Sequence, residues 1–482
     1  MPSPTPRRAH RLRRCSVWLV LCLVLVSSFA LSLPPAPAPI ATAQAPAPPP
    51  PFGMVAALAN RVRSDERDVA IQLLQEAGVQ WQREEILWDR VQQESGGPFV
   101  WDGDGSGFYE YDQAIGAQVA AGIKVLGLLT YNPAWFKSKN PPPEAWIDDW
   151  YAYVYTTVRR YGAERGWITH WELWNEPNVR EAGYESGLYE IKDFVRLLAV
   201  GHAAVRAADP NARIVMAGMS GQTDTDKQFS YDWLEYMEQV GALGGWEYVD
   251  ILALHPYHPA PPEGYVARFG RSVTLLDELD TLQAMMQRYG TKPVWITEFG
   301  YTTSSIAPGV AEIDQALFLL RSYLLMLAHP TVETVFWYDF RNDTLPTAPY
   351  EQPVYDSRNY EFHYGLLRRA FPLDPLQPDL RKPAFIAYRT MTQILAGLEL
   401  EQVLLDGTAQ GAYMHLYRSD TRRVDVLWRV SDTVPVVQVG CECQAARVLH
   451  WDGSLRERIV AVDGTVQVRP WDLGAPLYVV YE

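Results

Sequence analysis

The chain repeats one pattern eight times: a continuous apolar run followed by a stretch with helical spacing. The apolar runs fall at residues 52–58, 79–83, 124–130, 168–175, 213–218, 249–255, 294–298 and 333–339. The helical stretches lie at 64–77, 111–121, 145–161, 189–208, 232–240, 273–289, 312–328 and 383–398. Runs that are apolar throughout suit strands covered on both faces, the condition of a parallel sheet between helices. Eight such units close into a (β/α)8 TIM barrel, an α/β fold expected here over residues 53–398. The competing doubly wound sheet needs a glycine-rich phosphate turn after its first strand, and none follows Leu58. A barrel also says where to look for function, because the C-terminal ends of its strands share one mouth.

After Leu398 the pattern changes to short alternating segments separated by Asp406-Gly407, Asp452-Gly453 and Asp463-Gly464. That predicts a small antiparallel β-sandwich over 399–482, a packing module first and a sugar-binding module second. Cys441 and Cys443 stand two apart in it. On a strand they share a face, and the ring they would close is too small for an easy disulfide, so no disulfide framework and no Cys metal site are expected. At the other end, Arg7, Arg8, Arg11, Arg13 and Arg14 precede the apolar run 17–33. This is the pattern of a secretory signal, expected over 1–43 with cleavage after Ala30 or Ala43. An uncleaved anchor is the alternative, because the run is near the length that spans a bilayer. Residues 44–52 form a Pro/Ala-rich spacer. The expectation is a secreted or extracytoplasmic protein, anchored if the signal stays attached, with no other membrane contact.

The formal net charge is -15, and the leader contributes only positive charge to it. A chain this acidic lacks the basic footprint of a nucleic-acid binder, while neutral polymers remain open as substrates. The nine His are scattered without a His-Glu-x-x-His, so neither a metal nor a cofactor is expected. The 17 Trp and 27 Tyr fill a core, or offer flat faces to sugar rings. Nothing in the composition fixes an oligomeric state.

The strand ends collect chemistry. Arg83 closes the second run, Asn175 and Glu176 the fourth, His255 and Tyr257 the sixth, Glu298 the seventh, and Trp337 sits near the end of the eighth. Each has a bland reading: Glu176-Pro177 as a turn, Glu298 as a cap partner, Arg83 as a counter-ion, Trp337 as barrel filling. Their convergence on one mouth favours function. Two facing carboxylates meet the requirement for cleaving a glycosidic bond, one protonated to assist the leaving oxygen and one ionised to attack the anomeric carbon. Arg83 and Tyr257 are placed to keep Glu298 ionised, Asn175 to meet a sugar 2-hydroxyl, and Trp337 to lie under the ring. Glu172, on the same strand face as Glu176 but deeper, reads as structural. Pro177 is expected to hold Glu176 extended. The long loop 341–379 is expected to narrow the cleft.

The stretches Trp171-Glu-Leu-Trp-Asn-Glu-Pro-Asn178, His255-Pro-Tyr257 and Trp295-Ile-Thr-Glu-Phe-Gly300 resemble the fourth-, sixth- and seventh-strand motifs of glycoside hydrolase clan A, in its family 39-like and family 5-like members. The resemblance covers about residues 53–398. It implies a retaining double displacement with Glu176 as acid/base and Glu298 as nucleophile. Arg83, Asn175, His255, Tyr257 and Trp337 match substrate-binding positions. Residues 129–133 lack the His that many family 5 cellulases carry after the third strand, which disfavours a cellulase. The expected function is therefore a glycosidase acting on poly- or oligosaccharides. A transglycosylase using the same site and a non-catalytic carbohydrate-binding barrel are the alternatives.

Overall fold

The computed structural model describes residues 51–133, 135–136, 145–179, 190–221, 231–408, 411–433 and 435–482. The expected signal and nearly all of the spacer lie outside them. Among the described residues, no helix is long and apolar enough to cross a membrane.

The eight expected strands form, as β1 (Phe52–Val55), β2 (Trp81–Leu87), β3 (Lys124–Thr130), β4 (Ile168–Leu173), β5 (Arg213–Met216), β6 (Leu252–His255), β7 (Val294–Phe299) and β8 (Val332–Trp337). They pair in parallel in the order β5-β4-β3-β2-β1-β8-β7-β6, with the short piece Met219–Ser220 beside β6. Val215 and Ile251 form a parallel bridge between the two ends of that order, and the Ile251 N–H donates to the Ile214 carbonyl, so the sheet meets itself. The helices between the strands bury the outer face. Several stop or start where local chemistry dictates. Gly78 takes φ 75° to end the helix Arg67–Ala77, a conformation costly for a residue with a Cβ. Thr274 and Asp277 cap the helix Leu275–Tyr289 reciprocally.

The barrel has two cores. Helices and outward strand residues such as Met54, Ile296 and Phe299 make one large cluster. Inward residues, among them Val55, Trp81, Leu126, Trp295 and Phe336, make a separate one inside the barrel, against which Tyr338 packs. Alternation along each strand sends successive side chains to opposite cores.

The C-terminal part pairs antiparallel, with β9 (Glu399–Asp406), β10 (Ala412–Arg418), β11 (Arg423–Arg429), β12 (Val437–Gly440), β13 (Ala445–Leu449), β14 (Leu455–Val460), β15 (Thr465–Val468) and β16 (Leu477–Tyr481). A six-stranded sheet β9-β10-β11-β16-β13-β14 faces the two-stranded β12-β15, with Met414, Leu427, Val448, Val466 and Val468 between them. Tyr417, Trp428 and Tyr478 join the barrel's outer core, so this small β-sandwich packs directly on the barrel.

The expectation about cysteine is corrected. Cys441 and Cys443 are disulfide-bonded, with Cα atoms 5.2 Å apart. The strand ends at Gly440 and the backbone bends over 442–444. That bend brings the two Cα atoms closer than an extended strand would hold them, well inside the range a disulfide needs.

Candidate active site

The Arg83 guanidinium is the hub. Period-two alternation points Arg83 into the barrel two residues above Trp81, where it is wholly buried. Its Nε donates to Glu172 Oε2 at 2.6 Å, one Nη to Glu298 Oε1 at 2.5 Å and the other to Asn175 Oδ1 at 2.8 Å. A planar fork can serve three acceptors at once in a way an ammonium cannot. Tyr257 donates its hydroxyl to the other oxygen of Glu298 at 2.9 Å. Burial would raise the Glu298 carboxyl, but the nearby His255 ring, the Arg83 charge and hydrogen bonds from Tyr257 and Arg83 outweigh it and hold the carboxyl below the usual range.

Glu298 reaches this place through an irregularity. The β7–β8 register shifts between Ile296 and Phe299. A bulge there lets both Thr297 and Glu298 serve the interior, where strict alternation would send one of them outward.

Glu176 is held differently. His255 Nδ1 lies 2.9 Å from its Oε1, and His255 Nε2 lies 2.9 Å from Thr297 Oγ1. Thr297 in turn donates to Glu172 Oε1 at 3.0 Å, which also accepts the Gly218 N–H at 3.0 Å. The backbone around Glu176 is strained: Trp174 has φ 79° and Glu176 φ 41°. The extended conformation expected before Pro177 is therefore not adopted at Glu176. The local preference gives way to a site that fixes the turn from both sides, since the Glu176 N–H donates to the Gly218 carbonyl. Gly218 has no substitute here, because a Cβ on it would come within 2.0 Å of His255 Nε2.

The structure brings Arg83, Asn175, Glu176, His255, Tyr257 and Glu298 together, but not Trp337. Trp337 pairs in register with Met54 and Phe299, both in the outer core, and is wholly buried there. The inward residue is its neighbour Tyr338, whose ring lies 6.2 Å from Tyr257 and 5.4 Å from Tyr364. A shift of one residue along a strand exchanges the two faces, so the ring that looks inward is Tyr338 and not Trp337. His255 is also corrected. It is 0% exposed with both ring nitrogens engaged, so it supports Glu176 from beneath instead of lining the cavity.

Other site residues were missed by the sequence reading. Glu85 stands two residues beyond Arg83 on the same strand face, with Asn60 Nδ2 donating to its carbonyl at 2.8 Å. Period two from Arg83 was the signal that could have found it. Tyr131 accepts from Asn175 Nδ2 at 3.0 Å. From the loop 341–379, Glu361 and Tyr364 reach the rim, the Tyr364 ring 5.7 Å from that of Tyr257. The loop thus folds toward the site, as expected. The Glu361 residue as a whole is exposed at that rim, with its carboxyl on the side of the site. Burial, followed by the charges of Glu176 and Glu298, pushes its carboxyl up to about 7.

Ligand atoms of Glu176, His255 and Glu298 lie within 4.8 Å of one another, a spacing that can hold a cation. The Arg83 guanidinium already on Glu298 opposes one by charge.

Paired buried carboxylates at the mouth of a (β/α)8 barrel, one charge-neutralised by arginine, define a glycosidase. The chain belongs to the glycosyl hydrolases family 39, whose family model matches residues 134–429. A family 39 glycoside hydrolase from Bacteroides cellulosilyticus is similar in structure, with a TM-score of 0.69 at 21% identity over 90% of this chain and 81% of that one. A family 39 beta-xylosidase from Caulobacter crescentus gives 0.59 at 16% identity, over 90% and 96% of the two chains. A family 30 endoxylanase from Clostridium papyrosolvens gives 0.57 at 12% identity, over 90% and 97%. At such identities these likenesses speak for the fold. No curated protein sequence matches the chain.

Proposed function

We propose that this glycosidase works by retaining double displacement on poly- or oligosaccharides, with Glu298 as nucleophile and Glu176 as acid/base. The observation that carries the reading is the spacing of the carboxylates, which bring oxygens within 4.8 Å of each other. Retaining sites hold their carboxyl groups about 5–5.5 Å apart, whereas inverting sites leave about 6.5–9.5 Å for a water. The assignment of roles follows the asymmetry of partners. Glu298 has Arg83 and Tyr257 to keep it ionised, while Glu176 is held by His255.

In the first step Glu298 attacks the anomeric carbon while Glu176 protonates the leaving oxygen. In the second, Glu176 takes a proton from water, which displaces Glu298. Arg83 and Tyr131 orient the Asn175 amide, which is placed to meet the 2-hydroxyl as charge develops on the ring. Tyr338 and Tyr364 flank the ring. Secretion is part of the reading and rests on the Arg-rich start and apolar run of residues 7–33.

Glu298→Ala is expected to abolish turnover of aryl glycosides, with azide restoring it and yielding the inverted glycosyl azide. Retained activity without azide would end the nucleophile assignment. Glu176→Ala is expected to spare substrates with good leaving groups and to give a retained azide product. Aryl β-xylosides are the first substrates to try, since the structural neighbours include a beta-xylosidase and an endoxylanase.

A further inference from the structure

Beneath Glu176 runs a chain of buried polar groups: Glu172, Thr297, His255, then Glu176 itself. Glu172, Thr297 and His255 are 0% exposed and Glu176 8%. The links measure 3.0 Å from Thr297 Oγ1 to Glu172 Oε1, 2.9 Å from Thr297 Oγ1 to His255 Nε2, and 2.9 Å from His255 Nδ1 to Glu176 Oε1. Buried polar groups must be matched donor to acceptor, so the protons can be assigned from one end of the chain.

Glu172 is ion-paired with Arg83 and accepts the Gly218 N–H, which makes it an acceptor. Thr297 has one hydroxyl hydrogen and gives it to Glu172. The Thr297 oxygen is then an acceptor toward His255, and Nε2 carries the ring's hydrogen. A neutral imidazole so fixed turns the bare lone pair of Nδ1 to Glu176. That contact holds one proton, on the Glu176 oxygen or on Nδ1.

We propose that the Glu172–Thr297 pair locks the tautomer of His255, and that His255 thereby shares the proton that Glu176 delivers. The proposal rests on the retaining reading and assigns His255 and Thr297 as positioning residues, since both lie out of reach of the sugar. In the resting site the proton bridges Glu176 and Nδ1. In the first step it leaves with the departing alcohol. Glu176 then faces a bare nitrogen lone pair, which raises its affinity for the proton of the incoming water. As that water's oxygen bonds the anomeric carbon, the bond to Glu298 breaks and its proton restores the Glu176–His255 bridge.

Among the described residues, the groups facing His255 are Glu176, Thr297, the Gly218 backbone, and Glu298, whose Oε2 lies 3.8 Å from Nδ1. Arg83 acts on it through Glu298 and Glu172. Without the Thr297 hydroxyl, the ring hydrogen gains by moving to Nδ1 and donating to an ionised Glu176.

The test is a nitrogen-15 NMR spectrum of the histidine-labelled full chain, with His255 assigned by loss of its signal in His255→Gln. Nε2 is expected to stay protonated across the pH range, with Nδ1 the nitrogen whose signal moves. A bare Nε2 in the wild type overturns the proposal. In Thr297→Val the basic limb of kcat/KM on aryl glycosides with poor leaving groups is expected to move down by roughly one pH unit. Thr297→Ser, which keeps the hydroxyl, should restore it. A Thr297→Val profile that superimposes on the wild type also overturns the proposal, and if that variant does not fold the wild-type spectrum decides. The spectrum reads the tautomer whether or not the retaining reading holds, and failure of that reading shows separately as turnover by Glu298→Ala.

Discussion

Trp81, His170, Trp295 and Phe336 lie inside the barrel two residues below Arg83, Glu172 and Thr297 on β2, β4 and β7, and below Tyr338 just past the end of β8. The lower set is a knot of rings. Trp81 and Trp295 meet edge to face at 5.0 Å, and His170 stacks on Trp295 at 4.9 Å. Burial, with Arg213 and Lys124 nearby, pushes the His170 imidazole down to about 4, so it stays neutral. In the upper set Arg83, Glu172 and Thr297 form a polar network in which each group serves two or three others. Below, the requirement is volume, which several side chains can meet at modest cost. Above, the requirement is a matched set, because removing one member leaves a buried charge without its partner.

Arg83→Met tests the upper layer hardest. It strands Glu172 and Glu298, so it should cost about 3–5 kcal/mol in chemical denaturation. Turnover should fall by about a thousandfold as the nucleophile loses its counter-charge. Trp295→Phe tests the lower layer. It should cost about 2 kcal/mol through the space it leaves, while KM and the pH profile stay put. A change in either would mean that the layers are coupled. At the boundary, Tyr338→Ala should lower kcat/KM by about tenfold with little change in Tm, a loss of the size expected for one ring stacking against substrate. Trp337→Phe should do the reverse, and the opposite pattern would return the sugar platform to Trp337.

The smallest effect concerns pH. The Glu361 carboxyl is pushed up to about 7, and above that it adds a negative charge to the field of the site. Glu361→Gln should therefore bring the basic limb of kcat/KM down by roughly half a pH unit. Below about 7 Glu361 is already neutral, so the acidic limb, set by Glu298, should not move. A shift of both limbs would mean that Glu361 acts by shape and not by charge.

Most of the barrel could be read in advance, because apolar runs and helical spacing are local properties and each of the eight strands produced its own signal. The strand β9 has a weak signal of its own, because residues 399–406, Glu-Leu-Glu-Gln-Val-Leu-Leu-Asp, mix charges and aliphatics without clean alternation. Glu176 and Glu298 stood out since carboxylates ending apolar runs are conspicuous. Glu172 and Thr297 did not, because their importance lies in what faces them across the barrel. Trp337 and Tyr338 were confused because both are aromatic and only the register says which one looks inward.

The sequence alone determined the eight strands of the barrel, the antiparallel module after it, and the two glutamates, all of which depend on neighbours along the chain. Tertiary structure decided the rest. It set the face of Tyr338, the bulge that presents Thr297 and Glu298 together, the positive φ of Glu176 before a proline, and the bend that joins Cys441 to Cys443. Each departs from a local preference. The long-range contacts that enforce them join residues far apart in sequence, such as Arg83 to Glu298 and Gly218 to Glu172, and no window along the chain contains both partners.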